Sequence, residues 1–252
     1  MVNRDFEAYF EYLENEEFFL GFTPEELLKV KQLSVIHQYR KGQIIYFQDD
    51  PKRYCYFLLK GFIRLERTDT EDTYIYIDYI KEKNFFSYSS VLNFERYTHS
   101  AYSVTDVDLL LIPMDVIIEI IRQNHNQLLY MYCKLSEIQV FQEARIQQTA
   151  ISSAVDRVIQ SLSLWMFDMG RMIGGHMTIP YPLTIYELGL VAGTTRETAG
   201  RVVRKLTKEG KVKFTRKQVI FYDEDYFKEN AKFLQDLGTD YAGQLIEILN
   251  LA

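Results

Sequence analysis

The chain has 252 residues, 47 % of them hydrophobic and 25 % charged, and a formal net charge of −6. Such a length carries one large domain or two small ones with a proper core, and the composition excludes a disordered chain. The two cysteines, Cys55 and Cys133, are too few for a disulfide scaffold, a zinc site or an iron–sulfur cluster, and read as buried thiols in a reducing cytosol.

The opening stretch MVNRDFEAYFEYLENEEFF is acidic and aromatic. It lacks the positive start and apolar run of a signal peptide, and no apolar run reaches the length of a membrane span. A soluble, cytoplasmic protein without membrane contact is expected. This stretch should be helical, and TPEELLKV should form a second helix. There Thr23 is the cap, Pro24 takes the first position, and two carboxylates lie near the positive helix end.

From about Tyr39 to Pro113 the pattern changes to short β-branched and aromatic runs: GQIIYF, CYFLLKGFIRLER, TYIYIDYI, SAYSVT and DLLLIP. Turn material separates them, which predicts an antiparallel sandwich or roll. Gly42 and Gly61 each follow a lysine at a strand edge, where a positive φ is expected.

After Pro113, MDVIIEIIRQN predicts a short helix and NQLLYMYCKLSEIQVFQEARIQQTA a long one without Gly or Pro. In the long helix Leu128, Met131, Leu135 and Ile138 follow the spacing of a coiled-coil seam, which weakens at Gln142 and Arg145. On pattern alone such a stripe fits an intramolecular core equally well. AISSA then forms a hinge and VDRVIQSLSLWMF a further helix. GRMIGGHMTIPYP is a loop with strand-like pieces, broken by Gly174 and Gly175.

The segment LTIYELGLVAGTTRETAGRVVRKLTKEG carries the chemistry. Thr184 with Glu187 makes a capping box, Gly193 ends a short helix, and Thr195 caps a second one with Glu197 in its first turn. Ala199, Val202, Val203 and Leu206 face inward. Arg196, Glu197, Gly200, Arg201, Arg204 and Lys208 are left outside. KVKFTRKQVIFY follows as a hairpin with TRKQ at its tip. Between Arg196 and Lys217 there are nine basic residues against Glu197 and Glu209; the segment is +7, leaving −13 on the rest. A polyanionic partner is implied. Two short helices, a glycine turn and a basic hairpin predict a winged helix-turn-helix. Its second helix would enter the major groove, with arginine on guanine and glutamate on cytosine. Gly200 would allow close approach, and Lys213, Arg216 and Lys217 would meet phosphates.

The order of parts resembles the Crp/Fnr family of bacterial transcription regulators. RKGQIIYFQDDP and CYFLLKGFIRLER resemble its effector roll, and LTIYELGLVAGTTRETAGRVVRKL its DNA-binding signature. The resemblance covers roughly Tyr39 to Tyr222. It implies a homodimer joined along the long helix through Leu128, Met131, Leu135 and Ile138, and two recognition helices on a palindromic, TGTGA-like duplex site. Arg196, Glu197 and Arg201 match the family's base-reading trio, Thr184 and Thr195 its phosphate contacts. RNA polymerase stays open as a further partner. Members that bind cyclic AMP carry Gly-Glu and, further on, Arg-Ser. Here Ser87-Tyr88 and His99-Ser100 stand in those places. The effector pocket, if one exists, would centre on these four residues, with its small molecule unknown and no dependence on cyclic AMP. The general pattern is nearest to regulators of the arginine deiminase pathway in Gram-positive bacteria.

The expected architecture is α+β: an N-terminal antiparallel β-roll of the cyclic-nucleotide-binding kind, a long dimerisation helix and a C-terminal winged helix-turn-helix. The boundaries are 1–123 for the helices and roll, 124–152 for the long helix and hinge, 153–222 for the DNA-binding domain and 223–252 for a helical extension. An enzyme is not expected, nor a cofactor or metal. The four histidines, His37, His99, His125 and His176, make no ligand motif. The alternative is a ligand-binding module of the same fold that answers another small effector and acts through protein contacts.

Overall fold

A computed structural model of the chain describes residues 10, 13–71, 75–87, 91–92 and 95–231. These fall into two units. One holds the described residues up to Thr68 together with Asp78–Glu137, the other Asp69–Ile77 and the described residues from Ile138 onward.

In the first unit, β1 (Val35–Tyr39), β8 (Val107–Pro113), β3 (Tyr54–Lys60) and β6 (Phe85–Phe86) form one antiparallel sheet in that order. A second sheet runs β2 (Ile44–Tyr46), β7 (Ser100–Ser103), β4 (Ile63–Thr68), β5 (Ile75–Ile80). The reason for the pairing is in the side-chain alternation. On β3, Cys55 and Phe57 face one core while Tyr56 and Leu58 face another. Its neighbour β8 does the same, with Leu110 and Ile112 on one side and Leu109 and Leu111 on the other. Period-two strands that are apolar on both faces through their central residues require cover on both faces.

Helices supply the cover on one face. α1 (Pro24–Leu33) starts at the expected Thr23 cap, which the structure completes as a capping box. The Thr23 amide donates to Glu26 Oε2 at 2.8 Å, and the Glu26 amide to Thr23 Oγ1 at 3.2 Å. α2 (Met114–Gln123) begins directly after Pro113 and buries Val116, Ile117, Ile120 and Ile121. A 3-10 turn at Glu17–Phe19 brings Phe18 onto Phe85, with ring centroids 4.1 Å apart, and against Phe57 and Tyr130. Asn124 separates α2 from α3 (His125–Thr149). Its Nδ2 donates to the Gly21 carbonyl and to Glu26, and its Oδ1 accepts from the Gln127 amide.

Along α3 the apolar residues divide differently from the expected seam. Met131 is 5 % exposed and belongs to the core of its own chain with Tyr130. Leu128, Leu135 and Ile138 are exposed, but so are Tyr132 at 68 % and Ile146 at 67 %. The exposed stripe therefore follows Leu128, Tyr132, Leu135 and, past Gln139 and Gln142, Ile146. Its spacing of four and three residues keeps one face of the helix, with Met131 and Ile138 together at its edge; Met131 is taken by the core and Ile138 stays exposed.

The second unit contains α4 (Ala154–Met169), a hairpin of β9 (Arg171–Ile173) and β10 (His176–Ile179), then α5 (Ile185–Val191), α6 (Arg196–Lys208), β11 (Val212–Phe214), β12 (Val219–Phe221) and α7 (Glu224–Asn230). Its sheet order is β11-β12-β10-β9. The segment expected as a loop is thus a hairpin. Gly174 and Gly175 have φ of 60° and 82°, the pair of positive values that a two-residue turn between twisted strands needs. α7 packs through Phe227 onto Phe221, centroids 4.8 Å apart, and the Met177 amide donates to Glu224. The extension expected after Asp223 is described only through Ala231; residues 232–252 lie outside the described residues. Strands β1 and β6 were not expected, and the other strands fall in the predicted runs. Among the described residues no helix is long and apolar enough to cross a membrane.

Phe18 is 2 % exposed at the centre of this aromatic cluster. Phe18→Ala should lower the stability of the first unit by about 3–5 kcal/mol. The measurement is a urea titration, with a lower midpoint at unchanged slope.

Candidate nucleic-acid interface

α5 and α6 are joined by a turn built from small residues and caps. The Thr184 amide and hydroxyl donate to Glu187 Oε2 at 2.8 and 2.7 Å, and the Glu187 amide donates back to Thr184 Oγ1 at 3.1 Å. Glu187 is 4 % exposed, so its carboxylate is spent on the cap. Gly193 has a φ of 56°, which suits glycine because other residues carry a Cβ penalty there. Gly189 matters for a different reason. A Cβ on it would lie 3.1 Å from the Thr194 carbonyl oxygen and 3.2 Å from the Arg196 nitrogen, tighter than ordinary contact. Thr195 then caps α6, accepting from the Thr198 amide at 3.2 Å.

The faces of α6 divide as its sequence requires. Ala199, Val202, Val203 and Leu206 are buried, while Arg196, Glu197, Arg201, Arg204 and Lys208 are exposed. Gly200 has no crowded neighbour: a Cβ there would be 3.5 Å from Ile185 and Arg204 atoms, ordinary contact. β11 and β12 pair from Val212↔Phe221 to Phe214↔Val219, and the Thr215 amide closes the tip onto the Gln218 carbonyl at 2.9 Å. Lys213, Arg216 and Lys217 are exposed on this hairpin. Glu209 lies 3.9 Å from Lys205 and 3.8 Å from Lys211. The arrangement presents an arginine-rich helix end and a basic hairpin from one small unit, an anion-binding surface with fixed geometry.

The interior of the first unit's sheets is aromatic. Tyr46 stacks on Tyr97 with centroids 3.9 Å apart and on Tyr56 at 5.2 Å; Tyr56 in turn stacks on Phe86 at 5.2 Å. Tyr97 Oη donates to the Tyr54 carbonyl and lies 3.2 Å from Tyr56 Oη. Burial pushes the Tyr46 and Tyr56 hydroxyls well above the usual phenol range. Of the expected effector residues, Ser87 Oγ lies 2.6 Å from Tyr46 Oη. Ser100 Oγ accepts from the Gln48 amide at 2.8 Å, and His99 Nδ1 lies 2.9 Å from Thr98 Oγ1. Tyr88 lies outside the described residues. Burial, with the charge of Arg67 adding to it, lowers the His99 pKa to about 4.

Residues 36–124 match the family model for a cyclic nucleotide-binding domain. The HTH-type transcriptional regulator ArcR of Staphylococcus epidermidis is 29 % identical over 190 residues, 75 % of this chain and 82 % of that one. The FixK2 structure from Bradyrhizobium japonicum superposes with a TM-score of 0.67 at 18 % identity, covering 78 % of this chain and 96 % of its own. A CRP/FNR-family transcriptional regulator from Thermus thermophilus gives 0.57 at 21 % identity and covers 79 % and 98 %. In sequence and in fold the chain is similar to transcription regulators of the Crp/Fnr family.

Ser87 has a φ of 69°, a left-handed backbone that a side chain disfavours. The sequence identified Thr184, Thr195, Arg196, Glu197, Arg201 and Lys217, and the structure gathers all six in the second unit. It missed Gly189, whose small size is needed by the turn; a glycine inside a predicted helix was the available signal. It also missed Tyr46, Tyr56 and Tyr97, which stand on separate strands or loops and meet only after folding.

The unfolded chain protonates His99 near its ordinary pKa of about 6.5, the folded chain only near 4. Between these values the unfolded state binds more protons, so stability is full above the upper value and falls as pH drops toward the lower. Urea midpoints of the wild type should decline across that window, and His99→Gln should flatten the decline. Parallel curves for the two proteins would refute the assignment.

Proposed function

We propose that this Crp/Fnr-family regulator works as a homodimer that reads a palindromic, TGTGA-like DNA site through a winged helix-turn-helix. The observation that carries the reading is the exposed face of α6. Arg196, Glu197 and Arg201 stand exposed on a helix whose start is fixed by two capped ends and the Gly189–Gly193 turn. Arginine binds guanine O6 and N7 with its fork, and glutamate accepts from cytosine N4. Lys217 on the hairpin is placed to neutralise phosphate. Thr195 is a second phosphate contact. A phosphate at Thr184 has to displace Glu187 from the threonine hydroxyl.

Homodimerisation is assigned to α3, through Leu128, Leu135 and Ile138 with Tyr132 and Ile146 added and Met131 withdrawn to the core. A two-fold pair would hold the recognition helices about 34 Å apart, one DNA turn. The domains would run 1–123, 124–152, 153–222 and 223–252. The cytoplasm is the natural compartment, and RNA polymerase a natural further partner. The likeness to the HTH-type regulator ArcR supports a role in transcription regulation.

Cyclic AMP is not needed in this reading. The tyrosine stack fills the space between the sheets, and a His99 that stays neutral near pH 7 is no substitute for an always-charged arginine. The first test is binding to a duplex selected by the wild type, with and without cyclic AMP. Affinity should not change with the nucleotide. Arg196→Ala should weaken specific binding by about 1–3 kcal/mol and relax one base pair per half-site. Lys217→Ala should weaken all duplexes alike and lower the salt slope by about 1. Wild-type affinity in Arg196→Ala would displace α6 from the groove.

The second test concerns assembly. Leu135→Asp places a charge in the exposed stripe of α3 and should yield monomers in sedimentation that no longer bind the selected duplex. A Leu135→Asp protein that remains dimeric would remove this helix from the interface.

A further inference from the structure

The last turn of α3 is tied to the turn before α6 by a polar junction within the second unit. Gln148 is 2 % exposed. Its Nε2 donates to Ser161 Oγ at 2.5 Å, to the Arg157 carbonyl at 3.2 Å and to the Val191 carbonyl at 3.5 Å. Turning the amide over would set an oxygen against two carbonyl oxygens, so its orientation is fixed by its neighbours. Gln148 Oε1 is buried and meets no partner.

Arg157 completes the junction from α4. Its Nε donates to the Ala192 carbonyl at 2.9 Å and its Nη2 to the Gly193 carbonyl at 3.1 Å. Its Nη1 donates to the Ile151 and Ser152 carbonyls at 2.7 and 3.1 Å. One guanidinium therefore holds four carbonyls, two from the hinge between α3 and α4 and two from the turn that launches α6. A planar fork of five donors can do this; a lysine ammonium, with three donors at one point, cannot.

We infer that Gln148 and Arg157 are positioning residues for DNA reading. They fix the glycine turn, and with it Arg196 and Glu197, to the end of the long helix. The inference rests on the reading of α6 as the recognition helix. It gives the hinge segment AISSA a defined geometry rather than a free swivel, because both of its anchored carbonyls share one side chain with the turn.

The test uses the full chain with Arg157→Lys, Gln148→Leu and the double variant. Two probes are used: the duplex that the wild type selects from a random pool, and a scrambled duplex of equal length. Affinity for each is measured by anisotropy over a salt series, alongside a thermal melt. Each single change should lower the selected-to-scrambled affinity ratio about tenfold. Scrambled binding and its salt slope should stay at wild-type values, because the phosphate-facing lysines are untouched. The double variant should lose no more than the worse single one, since both residues act on the same turn. A folded variant with the wild-type ratio overturns the inference. So does a parallel fall of both affinities with the melting temperature, which marks a purely structural role. Should Arg157→Lys fail to fold, Gln148→Leu decides by the same ratio. A wild type without preference for any duplex overturns the reading of α6 itself, whereas wild-type preference with indifferent variants overturns the junction alone.

Discussion

Two strands that are apolar on both faces set the architecture of the first unit. β3 and β8 cannot lie at a surface on either side, because each alternate residue is large and hydrophobic. The sheet they share must be covered twice. One cover is the second sheet, which closes an aromatic interior around Tyr46, Tyr56 and Tyr97. The other is helical, formed by the Phe18 turn, α2 and the start of α3. The start of the long helix is thus a core element of the unit, which is why Met131 and Tyr130 are consumed there. What remains exposed on α3 is the stripe that the core does not use.

The second unit meets a different constraint. A sharp reversal between two short helices leaves amides and carbonyls without helical partners. Here they are met by Thr184, Glu187, Thr195 and Arg157. Gly189 removes the side chain that would obstruct the reversal, and Gly193 supplies its left-handed residue. With the turn fixed by side chains rather than by bulk, α6 can keep its outer face entirely polar. That face and the hairpin concentrate positive charge in a chain that is acidic elsewhere. An acidic remainder repels a polyanion from other surfaces, so the charge distribution favours one mode of approach for such a partner.

Much of this was legible from the sequence because it depends on local chemistry. The capping box at Thr184, the caps at Thr23 and Thr195, the positive φ of Gly42, Gly61 and Gly193, and the inward set Ala199, Val202, Val203 and Leu206 follow from neighbours three or four residues apart. The strand runs between Tyr39 and Pro113 were equally local. Their composition and turns announce them. The strand Val35–Tyr39 was not announced, since its mixed and largely exposed side chains gain their place from pairing with β8.

Tertiary structure alone decided the rest. A heptad pattern admits Leu128–Met131–Leu135–Ile138 and Leu128–Tyr132–Leu135 alike, and only the packing of the first core selects which residues stay outside. The tyrosine stack reaches from Tyr46 to Tyr97, so no short window of sequence contains it. The same holds for the hold of Gln148 and Arg157 on the turn at Val191–Gly193. Sequence by itself determined most of the elements and which surface carries the charge, because caps, turns and periodicity act over a few residues. Which apolar residues stay exposed on α3, and what fixes the turn between α5 and α6, depends on long-range contacts that exist only once the chain has folded.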